Sequence, residues 1–153
     1  MTRAFSLQPL LHLARQKNDA AAKKLGVLNR NRQSSQNKLE MLQQYRKDYQ
    51  AKMLEAEKNG LELQDLRNFQ DFIYRLDDAI AQQSAAVTQA HDSVLRGRNE
   101  LSETQRQLKS FDTLAQRHTE AEKIREAKIE QRQQDEHNGR RAAYKNAEQN
   151  EEQ

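Results

Sequence analysis

Apolar residues recur along the first sixty positions at alternating intervals of four and three. The series reads Leu7, Leu11, Ala14, Asn18, Ala21, Leu25, Leu28, Arg32, Ser35, Leu39, Leu42, Arg46, Tyr49, Met53, Ala56, Gly60 and Leu63, without a phase slip. Twelve of these seventeen are apolar, in a chain that is 35% hydrophobic overall. A sustained 4,3 repeat is the pattern of a coiled-coil seam, in which two positions of every heptad face a partner helix. Asn18, Arg32, Ser35 and Arg46 interrupt the apolar run; such residues weaken a seam and set its register. A second series begins a few residues later, with Leu66, Phe69, Ile73, Leu76, Ile80, Gln83, Val87, Ala90, Val94, Gly97, Leu101, Thr104, Leu108, Phe111 and Ala115. It continues more weakly through His118, Glu122, Arg125 and Ile129, and then stops.

The two series are separated by Asn59-Gly60. Glycine adopts the left-handed backbone that closes a helix, and Leu61 is placed to fold over that end. Two long helices joined by a short break most simply fold back as an antiparallel hairpin. The predicted fold is therefore all-α, a two-helix antiparallel coiled-coil hairpin over residues 1–130 with its turn near 59–65. Residues 131–153 are expected to be a polar C-terminal tail, either a fraying helix end or disordered. The alternative is one continuous helix in a parallel dimer, which must carry Gly60 in a helix at about 1 kcal/mol relative to Ala. The hairpin predicts a monomer when free. At the start of the first helix, Ser6 is expected as N-cap, with Phe5 and Leu10 as a hydrophobic staple around it. Pro9 falls in the first turn, where its missing N–H costs nothing. If the turn centres near residue 61, Gly97 faces Leu25 across the seam.

Composition supports long helices over a globular core. Charged residues make up 32% of the chain, aromatic residues 5%, and glutamine occurs 20 times. The abundant residues are good helix formers, and there is too little apolar area to fill a compact domain. Cysteine is absent, which excludes disulfides and thiolate metal sites. No stretch approaches the roughly 18 apolar residues that span a bilayer, and the N-terminal apolar cluster is too short for a secretory signal. A cytoplasmic protein is expected.

Charge is uneven. Residues 1–38 hold eight Lys or Arg and one acid, Asp19, while residues 59–79 hold five acids and two arginines. The basic set Lys17, Lys23, Lys24, Arg30, Arg32 and Lys38 could meet phosphates. It has no reading module and no interleaved aromatics, so no nucleic acid is expected as a partner.

A catalytic site is not legible. The chain has no GxxxxGK[ST], HExxH or GxSxG motif. His12, His91, His118 and His137 are scattered, and only His12 and His118 approach each other in a hairpin. The acid pairs Asp77-Asp78 and Glu151-Glu152 are sequence neighbours, which diverge on a helix. No enzyme activity, metal or cofactor is expected. What does stand out is apolar surface beside the seam. Phe72 and Ala79 flank it, Tyr74 lies at an outer position just after Ile73, and Phe72, Leu76, Ala79 and Gln83 form a second 4,3,4 stripe. Phe72 either folds over the seam or anchors a partner, as an exposed aromatic on a rigid helix can.

Several blocks carry a family resemblance. They are Leu10-Leu11-x-Leu13-Ala14, Ala21-Ala22-x-x-Leu25-Gly26 and Leu39-x-Met41-Leu42-x-x-Tyr45. After Gly60 comes Phe69-x-x-Phe72-Ile73-x-x-Leu76-x-x-Ala79-Ile80-x-x-Gln83. From about residue 10 to about 130 the chain resembles the FliJ family, soluble components of the bacterial flagellar type III export apparatus that are related to the YscO-like proteins of injectisomes. The resemblance implies an antiparallel coiled coil similar to part of a rotary-ATPase gamma subunit. It implies that the open end inserts into the hexameric ring of the export ATPase and promotes its assembly. It also implies links to a membrane export gate and to export chaperones, at the cytoplasmic face of the inner membrane at the flagellar base. The stripe Phe72, Leu76, Ala79 and Gln83 matches the family region that meets the gate. The basic residues Arg15, Lys17, Lys23, Lys24 and Arg30 would suit an acidic ring interior. Without the resemblance, the residues fit equally a generic coiled-coil scaffold or, less well, a basic nucleic-acid-binding rod.

Overall fold

A computed structural model describes residues 3–152. It contains two helices, α1 (Gln8–Lys58) and α2 (Leu63–Glu151), and no strand among the described residues. The chain divides into two compact units, one of Met1–Gln16 with Arg106–Gln153 and one of Lys17–Gln105. Each unit pairs a piece of α1 with a piece of α2.

In the Lys17–Gln105 unit the helices run antiparallel. Tyr49 meets Phe69 and Phe72, Arg46 meets Asp77, Lys24 meets Glu100 and Asn18 meets Thr104. Each step toward the N-terminus on α1 is thus matched by a comparable step toward the C-terminus on α2. Every seam position from Asn18 to Ala56 and from Leu66 to Thr104 is buried or half-buried. Val94 is fully covered, and Ala21, Leu39, Ile73 and Leu76 form the rest of the buried core. A pair of helices has only one line of contact, so most seam residues bury one side and leave the other near water.

Several polar seam positions find partners across the interface. Asn18 Oδ1 lies 3.2 Å from the Thr104 hydroxyl. Gln83 Nε2 donates to the Ser35 carbonyl at 2.8 Å. Arg46 is forked onto Asp77 through Nε and Nη2, and that ion pair raises its already high pKa further, first through the hydrogen bond and then through charge. These contacts satisfy groups that a slipped register would strand. Arg32 has no such partner among the described residues. Gly97 is buried and faces Leu25 and Leu28: a Cβ built there would lie 2.8 Å from Leu28 Cδ1 and 3.4 Å from Leu25 Cδ1.

The connection is short. α1 ends at Lys58, and the Asn59 N–H is shared between the Glu55 and Ala56 carbonyls at 3.3 and 3.2 Å. The Gly60 N–H donates to the Glu57 carbonyl at 3.3 Å, and Gly60 takes the left-handed conformation with φ of 83°. This is a glycine-terminated helix end, in which the reversed backbone returns N–H groups to carbonyls that the helix has left open. Leu61 is half-buried, and α2 starts when the Leu66 N–H reaches the Glu62 carbonyl at 3.0 Å. Gly60 and Leu63, the last members of the first apolar series, are exposed, because the helix has already turned away.

In the other unit, Leu11 and Ala14 are buried against a face of α2 whose Leu108, Phe111 and Ala115 are half-buried. Arg15 pairs with Asp112 at 3.4 Å. The helix start differs from the expected Ser6 cap. The Gln8 N–H donates to the Phe5 carbonyl at 3.1 Å and the Leu11 N–H to the Leu7 carbonyl at 2.9 Å, so Leu7 occupies the cap position and Ser6 lies in the preceding turn. Proline explains the shift. A Ser6 cap would accept from the N–H of residue 8 or 9, and the first is taken by Phe5 while Pro9 has none. Phe5 therefore does not staple onto Leu10. Its ring packs on His118 instead, with centroids 5.5 Å apart, and Leu10 is exposed.

Past Glu126 every described residue is exposed, including Ile129, yet the helix continues to Glu151. What ends near Ile129 is packing against α1, not helical structure. The segment is rich in Gln, Glu, Ala, Lys and Arg, which hold the helical backbone without a partner face.

Candidate partner-binding surfaces

Two surfaces follow from this geometry, one in each unit. The first lies near the turn in the Lys17–Gln105 unit. Here Tyr49 is sandwiched by aromatics, with ring centroids 5.1 Å from Phe69 and 4.3 Å from Phe72, both tilted. Tilted and offset pairs at such distances are favourable beyond simple area burial. Phe69 is half-buried in the seam, whereas Phe72 leans on Tyr49 with one side and keeps 40% of its surface open. The rest of the 4,3,4 stripe is placed differently. Leu76 is 7% exposed and belongs to the core. Ala79 is half-buried, and Gln83 is half-buried with its amide bonded to the Ser35 carbonyl. Phe72 is thus the stripe's outward group, with the edge of Ala79 beside it.

Tyr74, on the outer surface of α2, is 67% exposed. Tyr45 is exposed as well and was not part of the stripe read from the sequence. It sits one residue before Arg46, on the flank of α1 that corresponds to the Phe72 and Ala79 flank of α2. The signal for it was available: in an antiparallel pair like flanks face each other, so a Tyr on that flank of α1 joins an aromatic on that flank of α2.

The basic residues do not share one face. In the Lys17–Gln105 unit, Lys17 and Lys24 lie on a flank of the seam, Lys23 and Arg30 on the outer surface, and all four are exposed. Lys24 pairs with Glu100 at 3.0 Å. In the other unit Arg15 is likewise exposed and paired. Exposed pairs of this kind contribute little to folding and exchange readily for a partner's carboxylate.

The second surface is the packed end of α1 on α2 in the Met1–Gln16 and Arg106–Gln153 unit. The backbone N–H of Arg3 donates to Glu122 Oε2 at 3.2 Å, and Arg125 Nη2 donates to the same oxygen at 2.7 Å. His118 Nε2 donates to the Arg3 carbonyl at 2.8 Å. Glu122 is the one buried charged residue among those described. The Arg3 N–H, then Arg125 and His118, hold its carboxyl below the ordinary carboxylate range, against the opposing effect of burial. Because its folded value lies below that of the unfolded chain, this tie contributes stability above the ordinary carboxylate range. The contribution is lost as pH falls through the depressed folded value. Acidification into that range should therefore detach residues 3–7 before the helices separate, read as loss of the native Arg3 amide shift by NMR. Glu122→Gln should abolish that pH step.

No group of three or more His, Cys, Asp or Glu among the described residues is placed to hold a metal ion. His12 and His118 do not combine: His12 bonds Gln16, while His118 holds Arg3 and packs on Phe5. No helix among the described residues is long and apolar enough to cross a membrane.

The family model described as "Flagellar FliJ protein" matches residues 3–147. The chain belongs to the FliJ family. It is 30% identical over 145 residues to the flagellar FliJ protein of Salmonella typhi, covering 95% of this chain and 99% of that one. It is 29% identical over 140 residues to the flagellar FliJ protein of Escherichia coli strain K12, covering 92% and 95%. The FliJ match takes in both helices and the Asn59–Glu62 connection. It also extends past Ile129 into the exposed part of α2, beyond the residues that carried the resemblance in the sequence.

Proposed function

We propose that this chain is a non-catalytic coupling protein of the bacterial flagellar export apparatus. On this reading the end carrying the start of α1 and the later part of α2 inserts into the hexameric export ATPase and promotes its assembly. The Phe72 surface near the turn meets the membrane export gate, and exposed helix surface receives export chaperones. The protein works from the cytoplasm at the inner membrane of the flagellar base, held there by its partners. The observation that carries the reading is the FliJ match across almost the whole helix pair. The antiparallel helices, the basic α1 start and the outward Phe72 support it. ATP hydrolysis belongs to the partner, and this chain contributes stiffness, charge and an aromatic anchor.

Pull-down with a purified flagellar export ATPase tests the reading. Retention of the ATPase, with stimulated hydrolysis on adding the chain, is the expected result. Absence of both sinks it. A separate measurement divides the two ends. Phe72→Ala should weaken capture of the export gate's cytoplasmic domain by about tenfold, the scale of one aromatic hot spot, and leave ATPase stimulation and helical circular dichroism unchanged. Joint loss of gate binding, stimulation and helicity would make Phe72 a packing residue only.

A further inference from the structure

Two cations of the Lys17–Gln105 unit are matched by acids across the interface, Lys24 by Glu100 and Arg46 by Asp77. Arg32 is not. It occupies a seam position and is half-buried, yet it makes no ion pair or hydrogen bond among the described residues. The reason lies opposite. The stretch of α2 from Ala79 to His91 contains no acid at all. Arg32 therefore opens into a groove formed with Gln33, Gln36, Val87, Thr88 and His91.

The donors of that groove are uncommitted in one direction. The Arg32 guanidinium has five N–H groups in a planar fork suited to a carboxylate. Gln33 and Gln36 each use Nε2 along their own helix, on Asn37 and Glu40, which leaves a second N–H on each amide. The Thr88 hydroxyl is spent on the Ser84 carbonyl, and the His91 ring adds a further possible donor. Val87 supplies an apolar floor. A fixed cation, spare amide donors and a strip for methylenes are complementary to a glutamate side chain. Half-burying a cation without a counter-charge costs stability, and an incoming carboxylate removes that cost.

We propose that the Arg32–His91 groove is a docking site for an acidic side chain projecting from a helix of a partner protein. The groove is open along the helix pair, so it admits a side chain carried on another surface and encloses no free small molecule. This site is distinct from the Phe72 surface and does not depend on the proposed function.

The probe is an alanine-based helical peptide with glutamates on one face, and its glutamine counterpart, titrated into the full-length 15N-labelled chain. The glutamate peptide should shift Arg32, Thr88 and His91, and the glutamine peptide should not. Arg32→Gln should weaken binding by at least about tenfold, the fold-change of one charge-assisted hydrogen bond. Arg30→Gln, an equal loss of charge on the outer surface, should weaken it by less than about twofold. Thermal melts of Arg32→Gln control for folding, since removing an unmatched half-buried cation should leave the melting temperature unchanged or raised. Equal losses in the two variants would replace the groove with a diffuse basic surface. Shifts produced by inorganic phosphate but not by the peptide would make it a small-anion site, and absence of peptide binding at low salt would remove it altogether.

Discussion

Leu76→Ala should destabilise the helix pair by about 2–5 kcal/mol, the range for truncating a buried leucine. Leu76 is 7% exposed, so truncation removes buried methyl groups and leaves a void that a single line of contact cannot collapse to fill. Chemical denaturation followed by circular dichroism at 222 nm reads the change. Phe72→Ala makes the informative contrast. Its ring leans on Tyr49 but is 40% open, so the loss is mainly one aromatic pair, about 0.5–1.5 kcal/mol, plus a partial burial term. The two residues lie on one stripe of α2, yet they test different things. A loss of partner binding in Leu76→Ala would report a damaged fold, and the same loss in Phe72→Ala would report a damaged surface. Similar denaturation midpoints for the two variants would contradict the placement of Leu76 in the core.

Gly97 sets up the second large effect. Its missing side chain admits Leu28 and Leu25, with Leu28 Cδ1 2.8 Å from where a Cβ would stand. Gly97→Leu forces a branched side chain into that space and should cost about 1–3 kcal/mol through overpacking. Gly97→Ala should behave otherwise. The crowded atom is the end of a flexible leucine that can turn aside, and alanine gains about 1 kcal/mol of helix propensity over glycine. That variant is expected within about 1 kcal/mol of the parent by the same denaturation measurement. A severe loss in Gly97→Ala would mean that the backbones, and not the leucine tips, set the spacing at this point.

Much of this arrangement was written in the spacing of residues. The 4,3 repeat named the seam because a helix facing one partner must return an apolar residue to the same line every three or four positions. The break at Asn59-Gly60 was legible because glycine alone reaches the left-handed backbone without strain. Ser6 misled because its own cap geometry was right and its neighbour was wrong: Pro9 removes a donor that the cap would have used. The helical state of residues 130–151 was also hidden. Loss of apolar periodicity reports loss of a packing partner, and the two coincide only when packing is what holds the helix. Among surface residues, Phe72 and Ala79 were separable from the seam by position, and so was Tyr45, because in any antiparallel pair its flank of α1 faces theirs on α2.

The sequence by itself determined the class of structure, the two seams, the turn, and the FliJ resemblance that family comparison bears out. These depend on patterns within one chain segment, where local geometry maps spacing directly to a face. Only the tertiary structure decided which polar groups are matched. Arg46 finds Asp77 and Gln83 finds Ser35, whereas Arg32 meets an acid-free stretch. Such outcomes depend on the register between distant segments, and a side chain's environment is set by whatever that register brings opposite it.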